Sequence, residues 1–301
     1  MTRRKNETPR VVLVTGASSG IGRATAHALA GRGSDLVLVS RSPDVLEQVR
    51  QECVARGAGE VLVLPADVSD GPAVEVALDA ARERLGRVDG VAHAAAVLAY
   101  GRFEDVPREV FDKTVATNVV GTANVARSAL RVFREQQGGS LVVVGSVLGK
   151  MTAPFMTPYA TSKWAVHGLV RTLQIEARST PGVEVSLVSP GGVNTPIYSQ
   201  AGSYTGHAGH PPPPIDQPEK IAEAIVAALD KPRREVSLGL ANPVMVLGFR
   251  ALPAVFDAIV TPLMRLAGQA RQRVDAHPGN VLEPNGDGEA VHGRWPRRFL
   301  G

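Results

Sequence analysis

Short runs of branched apolar residues recur along most of this chain, separated by longer stretches of helical period. Val11–Val14, Leu36–Val39, Val61–Leu64, Val88–Ala92, Leu141–Val144, Val183–Val188 and Glu235–Leu238 read as strands. Continuous Val/Leu runs of this kind suit strands buried on both faces. Between them, Arg23–Leu29, Pro43–Arg56, Gly71–Leu85, Phe111–Arg134, Tyr159–Ala177 and Glu219–Leu229 read as helices. Alternation of the two across residues 10–190 predicts an α/β fold built on a doubly wound parallel sheet of about seven strands. Such a sheet binds ligands outside the carboxyl ends of its strands.

Beyond the seventh strand the pattern changes. Val244–Ala267 is apolar but carries Arg250, Asp257, Thr261 and Arg265 on one helical face, and Pro253 and Pro262 interrupt it. An uninterrupted membrane-spanning helix of about 20 residues is therefore not expected. Two placements remain for this amphipathic stretch. It packs on its own domain or a partner subunit, or it lies in a membrane interface and delivers a lipophilic substrate. Ser199–Asp216, with His207, His210 and Pro211–Pro214, reads either as a lid over the substrate or as a stiff connector. The expected organisation is a disordered N-terminus over 1–9, a main domain over 10–240, a helical extension over 241–275 and an irregular or disordered tail over 276–301.

Composition narrows the function class. A chain of 301 residues with 44% hydrophobic content can bury one large core. The net charge of +4 is spread without a dense basic and aromatic patch, which argues against nucleic acid as a partner. Cys53 is the only cysteine, so no intrachain disulfide can form and a cytoplasmic setting is expected. Arg3, Arg4 and Lys5 precede an apolar run too short for a signal peptide. His207 and His210 lack the clustered acid or cysteine that a metal would need.

The candidate chemistry sits at strand ends. Gly16-Ala17-Ser18-Ser19-Gly20-Ile21-Gly22 joins the first strand to the first helix. Glycines there let the backbone approach a diphosphate, and the free N–H groups of the helix start favour an anion. The spacing is G-x-x-x-G-x-G, a variant of the commoner dinucleotide fingerprint. Ser40 and Arg41 end the second strand, where the adenosine ribose would lie, and suit the 2′-phosphate of NADP(H) over the 2′-hydroxyl of NAD(H). Asp67 either accepts from the adenine amino group or caps the helix that begins near Gly71. His93 has no chemical partner in the sequence and reads as structural, and Ala94–Ala96 are small enough for a nicotinamide ribose to pass. Ser146 closes the fifth strand. Tyr159 and Lys163, four apart at a helix start, place an ammonium beside a phenol and should lower the phenol's pKa. The loop Ser189–Pro196 could close on the nicotinamide, with Thr195 near the diphosphate. Asn118, in mid-helix ahead of Gly121, weakens that helix and calls for a local bend.

Taken together, Thr15–Gly22, Asp67-Val68, Asn118, Ser146, Tyr159 to Lys163 and Pro190-Gly191 resemble the short-chain dehydrogenase/reductase family, over residues 10 to about 200, and its bacterial members with a C-terminal extension. The resemblance implies a Rossmann fold and an NADP(H)-dependent oxidoreductase that moves a hydride between nicotinamide C4 and a carbonyl or secondary alcohol carbon. Tyr159 would be the general acid/base, Ser146 would hold the same substrate oxygen, Lys163 would bind the nicotinamide ribose, and Asn118 would hold a water in a proton relay. Gly16, Ser18, Ser19, Gly20, Ile21, Gly22, Arg41, Asp67, Val68, Ala94, Ala95, Lys163, Pro190, Gly191, Val193 and Thr195 would contact the cofactor, in a homodimer or homotetramer. Phe155, Met156, Ile197 and Tyr198 point to a hydrophobic substrate. Two departures stand out: His93-Ala94-Ala95-Ala96 replaces Asn-Asn-Ala-Gly, and Gly145 precedes Ser146 where a second serine is common. The altered stretch and long tail motivate an alternative, a dinucleotide-binding regulator or scaffold without the chemistry.

Overall fold

The computed structural model describes residues 10–239 and 241–295, so the expectations for 1–9 and for the end of the tail, 296–301, lie outside the described residues. Seven strands, β1 Val11–Thr15, β2 Asp35–Val39, β3 Val61–Val63, β4 Gly90–His93, β5 Gly139–Val144, β6 Val183–Pro190 and β7 Glu235–Leu238, form one sheet in the order β7-β6-β5-β4-β1-β2-β3. Every pairing in it is parallel. β1 lies between β2 and β4, so the chain winds outward in both directions from that point. A crevice opens there, at the carboxyl ends of β1 and β4.

The side-chain period of two divides each strand between two cores. Leu13 faces α3 (Gly71–Leu85), α5 (Gly121–Glu135) and α6 (Thr157–Ala177) in one core. Val12 and Val14 face α1 (Gly20–Ala30), α2 (Pro43–Ala55) and α7 (Pro218–Asp230) in the other. These strand residues are fully buried, and each Val or Leu so placed contributes roughly 1.5–3 kcal/mol relative to exposure.

The structure departs from the pattern in three places. The helix expected over Phe111–Arg134 is α4 (Arg108–Val115) and α5, joined by a π-helical turn at Ala116–Val120. Asn118 lies in that turn, where its side chain bonds Val97 and its carbonyl accepts from the Thr122 hydroxyl at 2.6 Å. The apolar stretch 244–267 is two helices, α8 (Asn242–Ala251) and α9 (Pro253–Ala267). The break falls at Leu252 because the ring of Pro253 disfavours a helical conformation in the residue before it. Arg250, Asp257 and Arg265 are exposed as the pattern requires, but so are Val244, Leu247, Leu252, Val255, Ile259, Leu263 and Leu266. Among the described residues no helix is long and apolar enough to cross a membrane.

Third, the Gly/Pro-rich stretch 199–216 is stitched down by short strands. Gly202–Ser203 pairs with Ala99–Tyr100, His207–Gly209 with Gln269–Arg273, and Ile215–Asp216 with Gly192–Val193. Residues 276–295 have little regular structure, a single 3-10 turn at Gly286–Gly288, yet they fold back over the crevice.

Candidate active site

Close packing makes the glycine loop what it is. Gly16 has φ +65°, and a Cβ there would stand 2.9 Å from Ala95 Cα and N. A Cβ on Gly22 would stand 2.1 Å from the Gly16 carbonyl, so only glycine allows α1 to start this close to β1. At the helix start the Gly20 N–H donates to the Ala290 carbonyl at 2.8 Å, while the N–H groups of Ile21 and Gly22 have no partner among the described residues. Unpaired donors at a helix N-terminus, beside a backbone that tolerates no Cβ, fit a dinucleotide diphosphate. Thr195 packs against Gly20, its Cβ 3.1 Å from the position of an added Cβ.

Beside this loop, His93 ties three elements together. Thr15 Oγ1 accepts from the N–H groups of Ala94 and Ala95, and so gives its own proton to His93 Nδ1 at 2.7 Å. Thr122 Oγ1 spends its proton on the Asn118 carbonyl, so His93 Nε2 carries the hydrogen and donates to it at 2.9 Å. Burial, with Lys163 nearby, holds the imidazole neutral, its pKa pushed down to about 3. The histidine thus links β1 and β4 to α5, the linking job of the amide it replaces.

Asn118 does not line the cavity. Its Oδ1 accepts from Val97 N–H at 2.9 Å, and its Nδ2 donates to Val97 O at 3.0 Å and Ser162 Oγ at 2.9 Å. Ser162 in turn donates to the Tyr159 carbonyl at 2.7 Å. The buried Asn118–Ser162 pair therefore fixes the first turn of α6, which carries Tyr159. Ser162 was missed as a positioning residue; its place one turn beyond Tyr159 was the available signal.

Ser146, Tyr159 and Lys163 converge on one wall of a cavity of about 490 Å³. Ser146 follows β5 and caps the turn Val147–Gly149, its Oγ accepting from Leu148 N–H at 3.1 Å. Lys163 is buried and donates from Nζ to the Val144 carbonyl at 3.0 Å. Burial lowers its pKa to about 8. Tyr159 opens partly to the cavity, but the protein around it pushes the phenol up to about 12, against an opposing pull from the Ser146 hydroxyl. The expected lowering by Lys163 is overturned, because desolvation of the phenolate outweighs an ammonium already bonded to a backbone carbonyl. Tyr198 and Tyr100 sit beside Tyr159, with burial raising both phenols. Tyr198 lies in the loop after β6 and lines the cavity, which makes it a phenol to weigh beside Tyr159.

The same cavity is lined by Gly16, Ser18, Ser19, Gly20, Ile21, Arg41, Asp67, Val68, Ala94, Ala95, Pro190, Gly191, Val193 and Thr195; Gly22 packs behind it. Asp67 does not cap α3: Asp70 does, accepting from Ala73 N–H at 3.1 Å. Asp67 instead accepts from Ser69 and, at 2.8 Å, from Lys113. Burial opposes its ionisation, yet these donors keep its carboxyl below the ordinary range. Arg41 points into its expected region, but its guanidinium donates to the carbonyls of Asn280, at 2.7 Å, and Val281, at 3.4 Å. Asn280 and Glu289 of the tail complete that end of the lining. No local pattern could have revealed them, since Glu289 is 247 residues from its partner Ser42. At the opposite end, Met156, Ile197, Met245, Phe256, Val260 and Met264 give an apolar lining drawn largely from α8 and α9.

Behind Ser146, His167 fills the space beside Gly145, where an added Cβ would stand 2.7 Å from His167 Nε2. That imidazole is held neutral by burial, its pKa lowered to about 4. His207 and His210 meet no metal-like cluster among the described residues; His210 bonds backbone carbonyls and packs on Trp295.

Comparison with known proteins gives one answer. The family profile described as short chain dehydrogenase matches residues 10–204. Uncharacterized oxidoreductase YxnA of Bacillus subtilis (strain 168) is 30% identical over 283 residues, covering 93% of this chain and 79% of the relative. The X-ray structure of an alcohol dehydrogenase from the archaeon Thermococcus sibiricus, complexed with 5-hydroxy-NADP, superposes with a TM-score of 0.67 at 31% identity, covering 77% of this chain and 96% of that one. The crystal structure of levodione reductase gives the same TM-score of 0.67 at 29% identity, covering 77% and 96%. With the parallel seven-stranded sheet and the glycine loop already in place, the chain belongs to the short-chain dehydrogenase/reductase family of oxidoreductases.

Proposed function

We propose that this oxidoreductase uses NADP(H) to interconvert a hydrophobic carbonyl compound and its secondary alcohol, with Tyr159 as general acid/base. The observation that carries the reading is the convergence of Ser146, Tyr159 and Lys163 on a cavity shared with the glycine loop. When bound, the nicotinamide supplies or takes the hydride. Tyr159, protonated at neutral pH with its phenol near 12, holds the proton that a developing alkoxide needs, which suits reduction. Ser146 offers its hydroxyl to the same oxygen, and Lys163 keeps N–H donors free for the ribose beyond the one given to Val144. Asn118, through Ser162, holds the helix turn that presents Tyr159; its water-relay role remains part of the proposal.

Arg41 and the two serines flanking it, Ser40 and Ser42, support the choice of NADP(H), as does the NADP analogue in the archaeal relative. The apolar cavity end formed by α8 and α9 supports a hydrophobic substrate. Their exposed Val244, Leu247 and Leu266 fit a cover, either the second subunit of a homodimer or homotetramer or a membrane interface. The buried, inert thiol of Cys53, pushed up to about 12, fits a cytoplasmic setting.

The test is a ketone, aldehyde and alcohol panel followed by nicotinamide absorbance, with NADPH and NADH in parallel, for the unaltered chain and Tyr159→Phe. Turnover should fall about 10²–10⁴-fold in the variant while NADPH binding persists. Full turnover by Tyr159→Phe would sink the mechanism. NADPH binding without oxidation or reduction across the panel would favour the regulator instead.

A further inference from the structure

The C-terminal segment is built into the cofactor crevice. His277 exchanges two backbone bonds with Ser203, Asn280 N–H donates to the Gln200 carbonyl at 2.9 Å, and Val281 is fully buried among Val97, Ala99, Val106 and Val110. Further on, the Ala290 carbonyl takes the Gly20 N–H at 2.8 Å and the Ser19 hydroxyl at 3.1 Å, and Gly293 N–H donates to Asn194 O at 3.1 Å. Between these anchors the segment crosses the end of β2. There Arg41 donates to two tail carbonyls, and Glu289 accepts from Ser42 Oγ at 2.9 Å. The other Glu289 oxygen, Oε2, is buried and has no hydrogen-bond partner among the described residues. Of the two cations that act on Glu289, Arg23 is committed to Glu52, which it meets at 2.5 and 3.1 Å, whereas the guanidinium of Arg41 holds neutral carbonyls among the described residues.

We propose that Glu289 is a tethered stand-in for the 2′-phosphate of NADP(H), so that NADP(H) must displace this stretch of the tail whereas NAD(H) binds beneath it. The inference rests on the reading of Arg41 as the 2′-phosphate group's partner. A phosphate beside Ser42 and Arg41 would crowd the Glu289 carboxyl, whose pKa burial pushes up while Ser42, Ser18, Arg41 and Arg23 favour its charged form, and would find the guanidinium already bonded. It can replace the two neutral carbonyls on Arg41 by charge-assisted bonds only if the tail withdraws. A 2′-hydroxyl presents no such conflict, and it can donate to the unpartnered Oε2. Glu289 therefore sets the balance between the two cofactors from outside the sheet, as a specificity-determining residue.

The experiment is fluorescence titration of NADPH and NADH into the full chain, into Glu289→Gln and into Arg41→Ala, with hydrogen exchange followed over residues 280–292. Glu289→Gln removes the charge at constant shape. It should tighten NADPH about tenfold and weaken NADH by about two- to fivefold through loss of the acceptor at Oε2, so the NADPH/NADH affinity ratio rises, while circular dichroism and urea unfolding report the fold. In the unaltered chain NADPH should speed exchange across the tail segment, and NADH should slow it. An NADPH/NADH affinity ratio unchanged in Glu289→Gln, or a tail protected equally by both cofactors, overturns the inference. Arg41→Ala separates the two levels: if it leaves the ratio untouched, the 2′-phosphate reading itself fails. If it lowers the ratio while Glu289→Gln does nothing, only the stand-in role fails.

Discussion

Lys163 Nζ lies 5.5 Å from the centroid of the Tyr159 ring while donating to the Val144 carbonyl at 3.0 Å. The strand β5 carbonyl thus anchors the ammonium at the ring, and burial depresses the lysine as it raises the phenol. With the two values near 8 and 12, the group that titrates first as pH rises is the lysine. Since the charged form is the one proposed to hold the ribose, kcat/KM for reduction should fall about tenfold per pH unit above about pH 8. A pH–rate profile flat to pH 10 would show that Lys163 keeps its proton.

Ser146 caps the turn Val147–Gly149 and is proposed to hold the substrate oxygen, and two readouts of one substitution separate these roles. Ser146→Ala removes the hydroxyl proposed for the substrate oxygen and the acceptor for Leu148 N–H. Turnover should drop by more than about tenfold, and thermal or urea unfolding should show a loss of about 1 kcal/mol, the size of a lost cap. A stability loss with unchanged turnover would reduce Ser146 to a cap.

Gly145 stands where a second serine is common, and His167 explains why. A Cβ at 145 would crowd Nε2 at 2.7 Å and Leu187 Cδ1 at 3.0 Å, so Gly145→Ser should destabilise by roughly 1–3 kcal/mol. His167→Ala opens that space, and the double variant should recover part of the loss. Additive effects in a double-mutant cycle would contradict the packing account.

His93 should make the protein acid-sensitive. Its folded value, about 3, lies below the ordinary 6.5, so the unfolded chain takes up the proton first. The stabilising contribution is complete above pH 6.5 and is lost as pH falls toward 3. At pH 5 the loss is about 2 kcal/mol from this residue. His93→Asn should flatten the stability profile between pH 7 and 5, measured by urea unfolding. At pH 7, His93→Ala should cost roughly 2–4 kcal/mol by leaving the buried Thr15 hydroxyl without an acceptor and opening a cavity.

Local pattern sufficed for the sheet and for the candidate residues that line the cavity at its edge. Val/Leu runs that alternate with helical stretches suit parallel strands buried on both faces, and glycine at 16 and 22 leaves room for a helix to start against a strand. Tyr159 and Lys163 share a face by helical spacing alone. Even the structural reading of His93 was available, because no partner in the sequence gave it chemistry. What the sequence could not determine was every term that depends on what else comes near. The phenol's pKa turned on burial, not on its neighbour four residues away. Asp70, directly before Gly71, takes the cap, and Asp67 is engaged instead by Lys113 from another helix. The single apolar stretch after residue 240 divided at Leu252, and its outer face stayed apolar. Above all, the tail arrives at Arg41 and Ser42 across some 240 residues of chain. Contacts of that separation leave no periodicity, since they are fixed by the fold's path and not by spacing. The sequence by itself determined the sheet and the candidate side chains gathered at its edge; the tertiary structure decided their electrostatics and brought the tail to Arg41 and Ser42.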